Sequence, residues 1–125
     1  MANNETVDIS SFSEEIQKLL SEYGEDVQKI ADEEVEKISK EAVKKLKQTS
    51  PKDRGDYAKG WKLKKKETRF GIEATVYNST HGWLVHLLEN GHEKRGGGRT
   101  KAEPHVKPVQ DWIDIELIQR IKAKL

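Results

Sequence analysis

Between Phe12 and Gln48 apolar side chains return at three- and four-residue steps: Phe12, Ile16, Leu19, Leu20, Tyr23, Val27, Ile30, Val35, Ile38, Ala42 and Leu46. That spacing places them on one stripe of an α-helix running from about 12 to 48, and any compact fold must cover the stripe. Ser11-Phe12-Ser13-Glu14 reads as a capping box at its start, with Ser11 as the N-cap. Thr49-Ser50-Pro51 ends it, because the residue before a proline avoids the helical region. Gly24 interrupts the pattern at a cost of about 1 kcal/mol relative to alanine, so a bend or break belongs there.

The next segments change period. Residues 52–60 read as an irregular connection. Phe70, Ile72, Ala74 and Val76 alternate with Gly71, Glu73, Thr75 and Tyr77, the pattern of a strand with one buried face. With Trp61–Lys66 before it, this forms a hairpin whose inner face includes Trp61 and Leu63. Lys62, Lys64, Lys65 and Lys66 keep the exposed side soluble and discourage edge pairing. After a turn at Asn78-Ser79-Thr80, a short helix over about 82–89 turns Trp83, Leu84, Leu87 and Leu88 inward and stops at Asn90-Gly91. Residues 92–103 hold Gly96, Gly97 and Gly98 among charged side chains, with no apolar period, and are expected to be a mobile loop. A short extended piece over 102–107 leads to Pro108, which opens a last helix with Val109, Trp112, Ile113, Leu117 and Ile121 inward. The expected fold class is therefore α+β: a long N-terminal helix packed with a small antiparallel sheet, a short middle helix and a C-terminal helix. Residues 1–10 are expected to be a disordered N-terminus, and 11–125 a single domain.

Composition narrows the function. The chain has 125 residues, 36% of them charged and 34% hydrophobic, and no cysteine, which excludes disulfides and thiol catalysis. No apolar run approaches the roughly 18–20 residues that span a bilayer, and the N-terminus lacks a signal-peptide layout, so a soluble protein beginning in the cytoplasm is expected. Residues 1–49 carry 12 acidic and 7 basic side chains, whereas residues 50–107 carry 7 acidic and 13 basic. This split suits nucleic acid, and equally suits head-to-tail contact between identical subunits.

Chemistry-bearing motifs are sparse. His81, His86, Glu89 and His92 are the candidate metal ligands, but their spacing matches no usual tetrahedral pattern. The plainer reading lets His86 help pack its helix and leaves His92 and His105 at the surface. Lys94-Arg95-Gly96-Gly97-Gly98-Arg99 lacks the phosphate-binding G-x-x-x-x-G-K-[ST] form and interleaved aromatics. The serines fall in caps, helix faces or turns, with no Gly-x-Ser-x-Gly. Asp53 and Asp56 lie in a polar connection with nothing to raise a carboxyl pKa. No enzyme, metal or cofactor is called for.

The order of motifs resembles the head–tail joining or tail-completion proteins of long-tailed bacteriophages and prophages, often described as minor structural or tail-component proteins. The resemblance rests on Ser50-Pro51, then Arg54-Gly55-Asp56-Tyr57 leading to Gly60-Trp61, then the hairpin. It continues through Trp83 to His92, Gly96 to Gly98, and Pro104-His105-Val106-Lys107-Pro108, so it covers about residues 50–121. Tyr57 replaces a usual aliphatic residue, and His105 stands where an aromatic is common. The resemblance implies a non-enzymatic subunit docking at the head–tail junction, usually in a homo-oligomeric ring, with other connector and tail proteins as partners. Host cytoplasm during assembly, then the virion, is the implied location. On this reading Glu89, Asn90 and Gly91 form a hinge, and His92, Arg95, Gly96, Gly97, Gly98 and Arg99 belong to a docking loop. Glu89 either anchors that loop by accepting backbone or arginine hydrogen bonds or is a solvated helix-end carboxylate. The alternative is a nucleic-acid-binding module that uses the four strand lysines with Arg95 and Arg99. No membrane partner is implied.

Overall fold

The computed structural model describes residues 6–51 and 55–125. The chain is α+β, as its periodicities require. Its elements are β1 (Thr6–Ser10), α1 (Glu14–Tyr23), α2 (Asp26–Thr49), α3 (Asp56–Lys59), β2 (Trp61–Thr68), β3 (Gly71–Asn78), α4 (Gly82–Asn90) and α5 (Val106–Ala123). The three strands form one antiparallel sheet in the order β1-β3-β2. Helix α2 lies against the sheet, with α1 and α5 packed on it.

The apolar stripe breaks into two helices. Gly24 takes a φ of 91° and donates its N–H to Leu20 O, ending α1 in a conformation that only glycine adopts cheaply. Val27, Ala31, Val35, Ile38, Ala42 and Leu46 of α2 are wholly buried. Tyr23, expected on the stripe, instead sits at the break and is exposed. The N-cap is Ser13, whose hydroxyl accepts from Ile16 N, and not Ser11. Ser11 is buried and serves the sheet: its N–H donates to Ile72 O at 3.0 Å, and its hydroxyl accepts from Ile72 N at 2.8 Å.

The expectation of a disordered 1–10 fails for residues 6–10, while residues 1–5 lie outside the described part. Thr6–Ser10 pairs with Tyr77–Glu73, burying Val7 and Ile9 under the helices and leaving Asp8 out. Two apolar residues two apart are too short a period to announce a strand, but β3 supplies the template. On β3 the alternation holds at Ile72, Ala74 and Val76, all buried. Phe70 does not join them. It stands in the two-residue turn between β2 and β3, 60% exposed and tilted against Phe12.

Within the connection expected to be irregular, residues 56–59 form α3, which turns Tyr57 and Ala58 inward; Lys52, Asp53 and Arg54 lie outside the described residues. Helix α5 begins at Val106, two residues before Pro108, and occupies part of the stretch expected to be extended. In α4 the buried residues are Val85 and Glu89, while Trp83 is 67% exposed rather than inward.

Charges fasten α5 to α2. Arg120 makes a two-pronged contact to the Glu41 carboxylate, with Nη2 2.9 Å from Oε1, and its Nε donates to Glu116 at 3.0 Å. The hydrogen bond from Arg120 holds the Glu41 carboxyl below its ordinary 4.5, against a smaller opposing push from burial. A carboxyl depressed in the folded state contributes stability that is fully present above pH 4.5 and lost as pH falls through the folded value. Glu41 is half-exposed, so the contribution is screened and modest. The Glu41→Gln variant should therefore show a shallower loss of stability below pH 4.5 than the parent chain, read as urea midpoints across an acid pH series.

Candidate functional site

The residues singled out by sequence fall into two groups on different parts of the molecule. One gathers where α4 ends, the glycine-rich loop begins and α5 starts. The other lies on β2.

Glu89 is the centre of the first group. It is 4% exposed, on the inner side of α4's last turn. Its Oε1 accepts the N–H groups of His105 and Val106, each at 2.9 Å, and its Oε2 accepts that of Lys107 at 2.9 Å. These are donors at the start of α5 that have no partner within the helix. A negative group placed there is also favoured by the helix dipole. Glu89 thus anchors the far end of the loop through backbone hydrogen bonds, and α5 needs no cap from its own N-terminal side chains.

His105, expected at the surface, is buried beside it. Its Nδ1 lies 2.7 Å from the Glu103 carbonyl oxygen, which can only accept, so Nδ1 carries the hydrogen. In the neutral ring Nε2 then accepts from the Tyr57 hydroxyl at 2.6 Å. Burial, and next the nearby Glu89 charge, push the Tyr57 hydroxyl pKa well up, keeping that hydroxyl a donor. Trp61 packs edge-on against both rings and donates its indole N–H to Ser50 at 2.7 Å. The tyrosine and histidine that depart from the resembled pattern therefore pair with each other.

The loop leaves this base as a closed turn. Gly91 has a φ of 73°, and a β-carbon on it would lie 2.7 Å from the Thr100 carbonyl oxygen, so glycine is required twice over. His92 N donates to the Thr100 hydroxyl and Thr100 N to His92 O, both across the loop's neck. Glu93 and Arg99 form a bridge, Lys94 N donates to Gly98 O, and Gly97 N donates to Lys94 O. Arg95 and Gly96 are at the exposed tip. Near the second end, Glu103 N donates to Leu88 O.

The candidate metal ligands are not brought together. Both Glu89 oxygens face backbone N–H groups, His86 is exposed beside Asn90 rather than packed, and His81 contacts Thr80 and Trp83. Among the described residues no cluster of three histidine or carboxylate side chains could hold a metal ion. The four strand lysines also divide. Lys62, Lys64 and Lys66 pair across from Tyr77, Thr75 and Glu73 on the sheet face away from the helices. Lys65 turns to the other face, where its Nζ is 3.4 Å from Glu36. Among the described residues no helix is long and apolar enough to cross a membrane.

A family model described as "Bacteriophage HK97-gp10, putative tail-component" matches residues 14–91. The chain belongs to this HK97-gp10-like family. No curated protein and no solved structure matches it. The matched span runs from the first residue of α1 through α4 to Gly91, so the family likeness includes the long helical segment and ends at the loop's hinge. The sequence resemblance, placed over about 50–121, is thus extended toward the N-terminus and shortened at the C-terminus. In this HK97-gp10-like chain, β1, the loop and α5 lie outside the matched span.

Sequence reasoning missed His105 and Tyr57 as a pair, since they are 48 positions apart. The Glu89→Gln variant replaces one acceptor oxygen with an amide that faces another donor. It should cost about 3 kcal/mol in urea unfolding, with hydrogen-exchange protection falling most at the start of α5.

Proposed function

We propose that this HK97-gp10-like chain is a non-enzymatic structural subunit of the phage head–tail connector or tail top, acting in head–tail joining or tail completion. The observation that carries the reading is the family match across residues 14–91, which contains every element from α1 to α4. The geometry is consistent with a part that works by contact. The charged loop projects from a base fixed by Glu89, with Arg95 and Arg99 exposed. Among the described residues no helix covers the lysine-bearing sheet face. In the proposed assembly, residues 92–103 dock on a neighbouring subunit, with Glu89, Asn90 and Gly91 as the fixed hinge and Lys62, Lys64 and Lys66 as a basic contact face. Heterologous contacts of this kind between copies close into a ring when the rotation permits. The chain meets these neighbours in the host cytoplasm during assembly and remains in the virion.

Removing the gene should leave filled heads and tails unjoined, seen by negative-stain microscopy and as lost infectivity. A charge reversal at the loop tip, Arg95→Glu with Arg99→Glu, should give the same particles while the purified variant keeps its helical circular dichroism. Normal infectious virions in the absence of the gene would contradict the proposal.

A further inference from the structure

The two edges of the sheet are unlike. The outer edge of β1 is engaged at its centre: Asp8 N donates to Gln110 Oε1 at 2.8 Å, and Gln110 Nε2 donates to Asp8 O at 2.9 Å. The Gln110 amide thus takes the place of a neighbouring strand's peptide group, and Asp114 holds it at 3.0 Å. The outer edge of β2 has no such cover. Ser11 N bonds Ile72 O, so Ile72 and, by alternation, Ala74 and Val76 direct their backbone groups toward β1. Their partners across the hairpin, Glu67, Lys65 and Leu63, therefore turn N–H and C=O groups away from the sheet. Among the described residues nothing bonds those groups.

Charge decides what this edge can accept. Lys62, Lys64 and Lys66 form a column along it at every second residue, roughly 7 Å apart. A second copy offers no matching strand. The middle of its β1 edge is blocked by Gln110 on Asp8, and an antiparallel β2–β2 pair would set the two lysine columns against each other, which destabilises pairing. A segment with Asp or Glu at alternate positions would meet both the free backbone groups and the lysines. We propose that the outer edge of β2 is a strand-addition site for an extended acidic segment of a different protein, the lysines rejecting copies of β2 itself. This deepens the reading of the chain as an assembly subunit by stating the chemistry of one partner.

The test uses the purified full chain and a nine-residue peptide alternating glutamate with valine and threonine. Saturating peptide should slow amide exchange at Leu63, Lys65 and Glu67 by about tenfold. A lysine-for-glutamate peptide, and the acidic peptide with a central proline, should not. The triple variant Lys62→Glu, Lys64→Glu, Lys66→Glu should lose protection by the acidic peptide and gain it from the lysine peptide. Three outcomes would overturn the proposal: no edge protection at millimolar peptide, binding seen at the lysines without protection of the three amides, or an oligonucleotide protecting the same amides equally well. These outcomes are distinct from failure of the connector reading, which is decided by the particles formed without the gene.

Discussion

The buried side of α2 is the surface on which the sheet and two of the other helices are arranged. Val27, Ala31, Val35, Ile38, Ala42 and Leu46 are wholly removed from water, and the sheet, α1 and α5 all close over this helix. At about 1.5–3 kcal/mol for each large apolar side chain buried, its two valines, isoleucine and leucine contribute substantially to the stability of so polar a chain. A second constraint fixes how α5 lies on it. Glu89 holds α5's first N–H groups, and near its last turn Lys124 reaches the buried Glu34 at 2.6 Å. An acid at the helix start and a lysine near its end both match the helix dipole, so the orientation of α5 is set electrostatically as well as by packing.

This arrangement leaves particular surfaces over. With the helices all on one side, the other face of the sheet carries Lys62, Lys64 and Lys66 beside Glu73, Thr75 and Tyr77. The loop is held at both ends by the Glu89 junction, so its tip projects from a fixed base rather than from two independent helix ends. These are the surfaces on which the proposed contacts with neighbouring subunits rest, and modest contacts of that kind add through multivalency.

Much of the fold was legible because it is periodic. The α2 stripe, the alternation at Ile72, Ala74 and Val76, and the Asn90-Gly91 stop are local patterns that local geometry obeys. What escaped were features whose cause lies far along the chain. Ser11 has a good capping sequence, yet its hydroxyl serves Ile72, 61 positions on. β1 is a strand only because β3 offers it an edge. Phe70 continues the alternation but falls in the turn, where register overrides hydrophobicity. At the site, the stop at Gly91 was readable as a helix end, Glu89 stayed open between a loop anchor and a solvated carboxylate, and the burial of His105 was not foreseen. It depends on Tyr57 and Trp61 arriving from a different element.

The central claim, that this chain works by fitting between neighbours in a phage particle, is tested most directly by a cryo-electron microscopy reconstruction of the intact virion. The account predicts density for the chain at the head–tail junction or tail top, with the 92–103 loop against one neighbouring subunit and an added strand along β2. A particle in which the chain is absent, or present with both of those surfaces facing solvent, would contradict it.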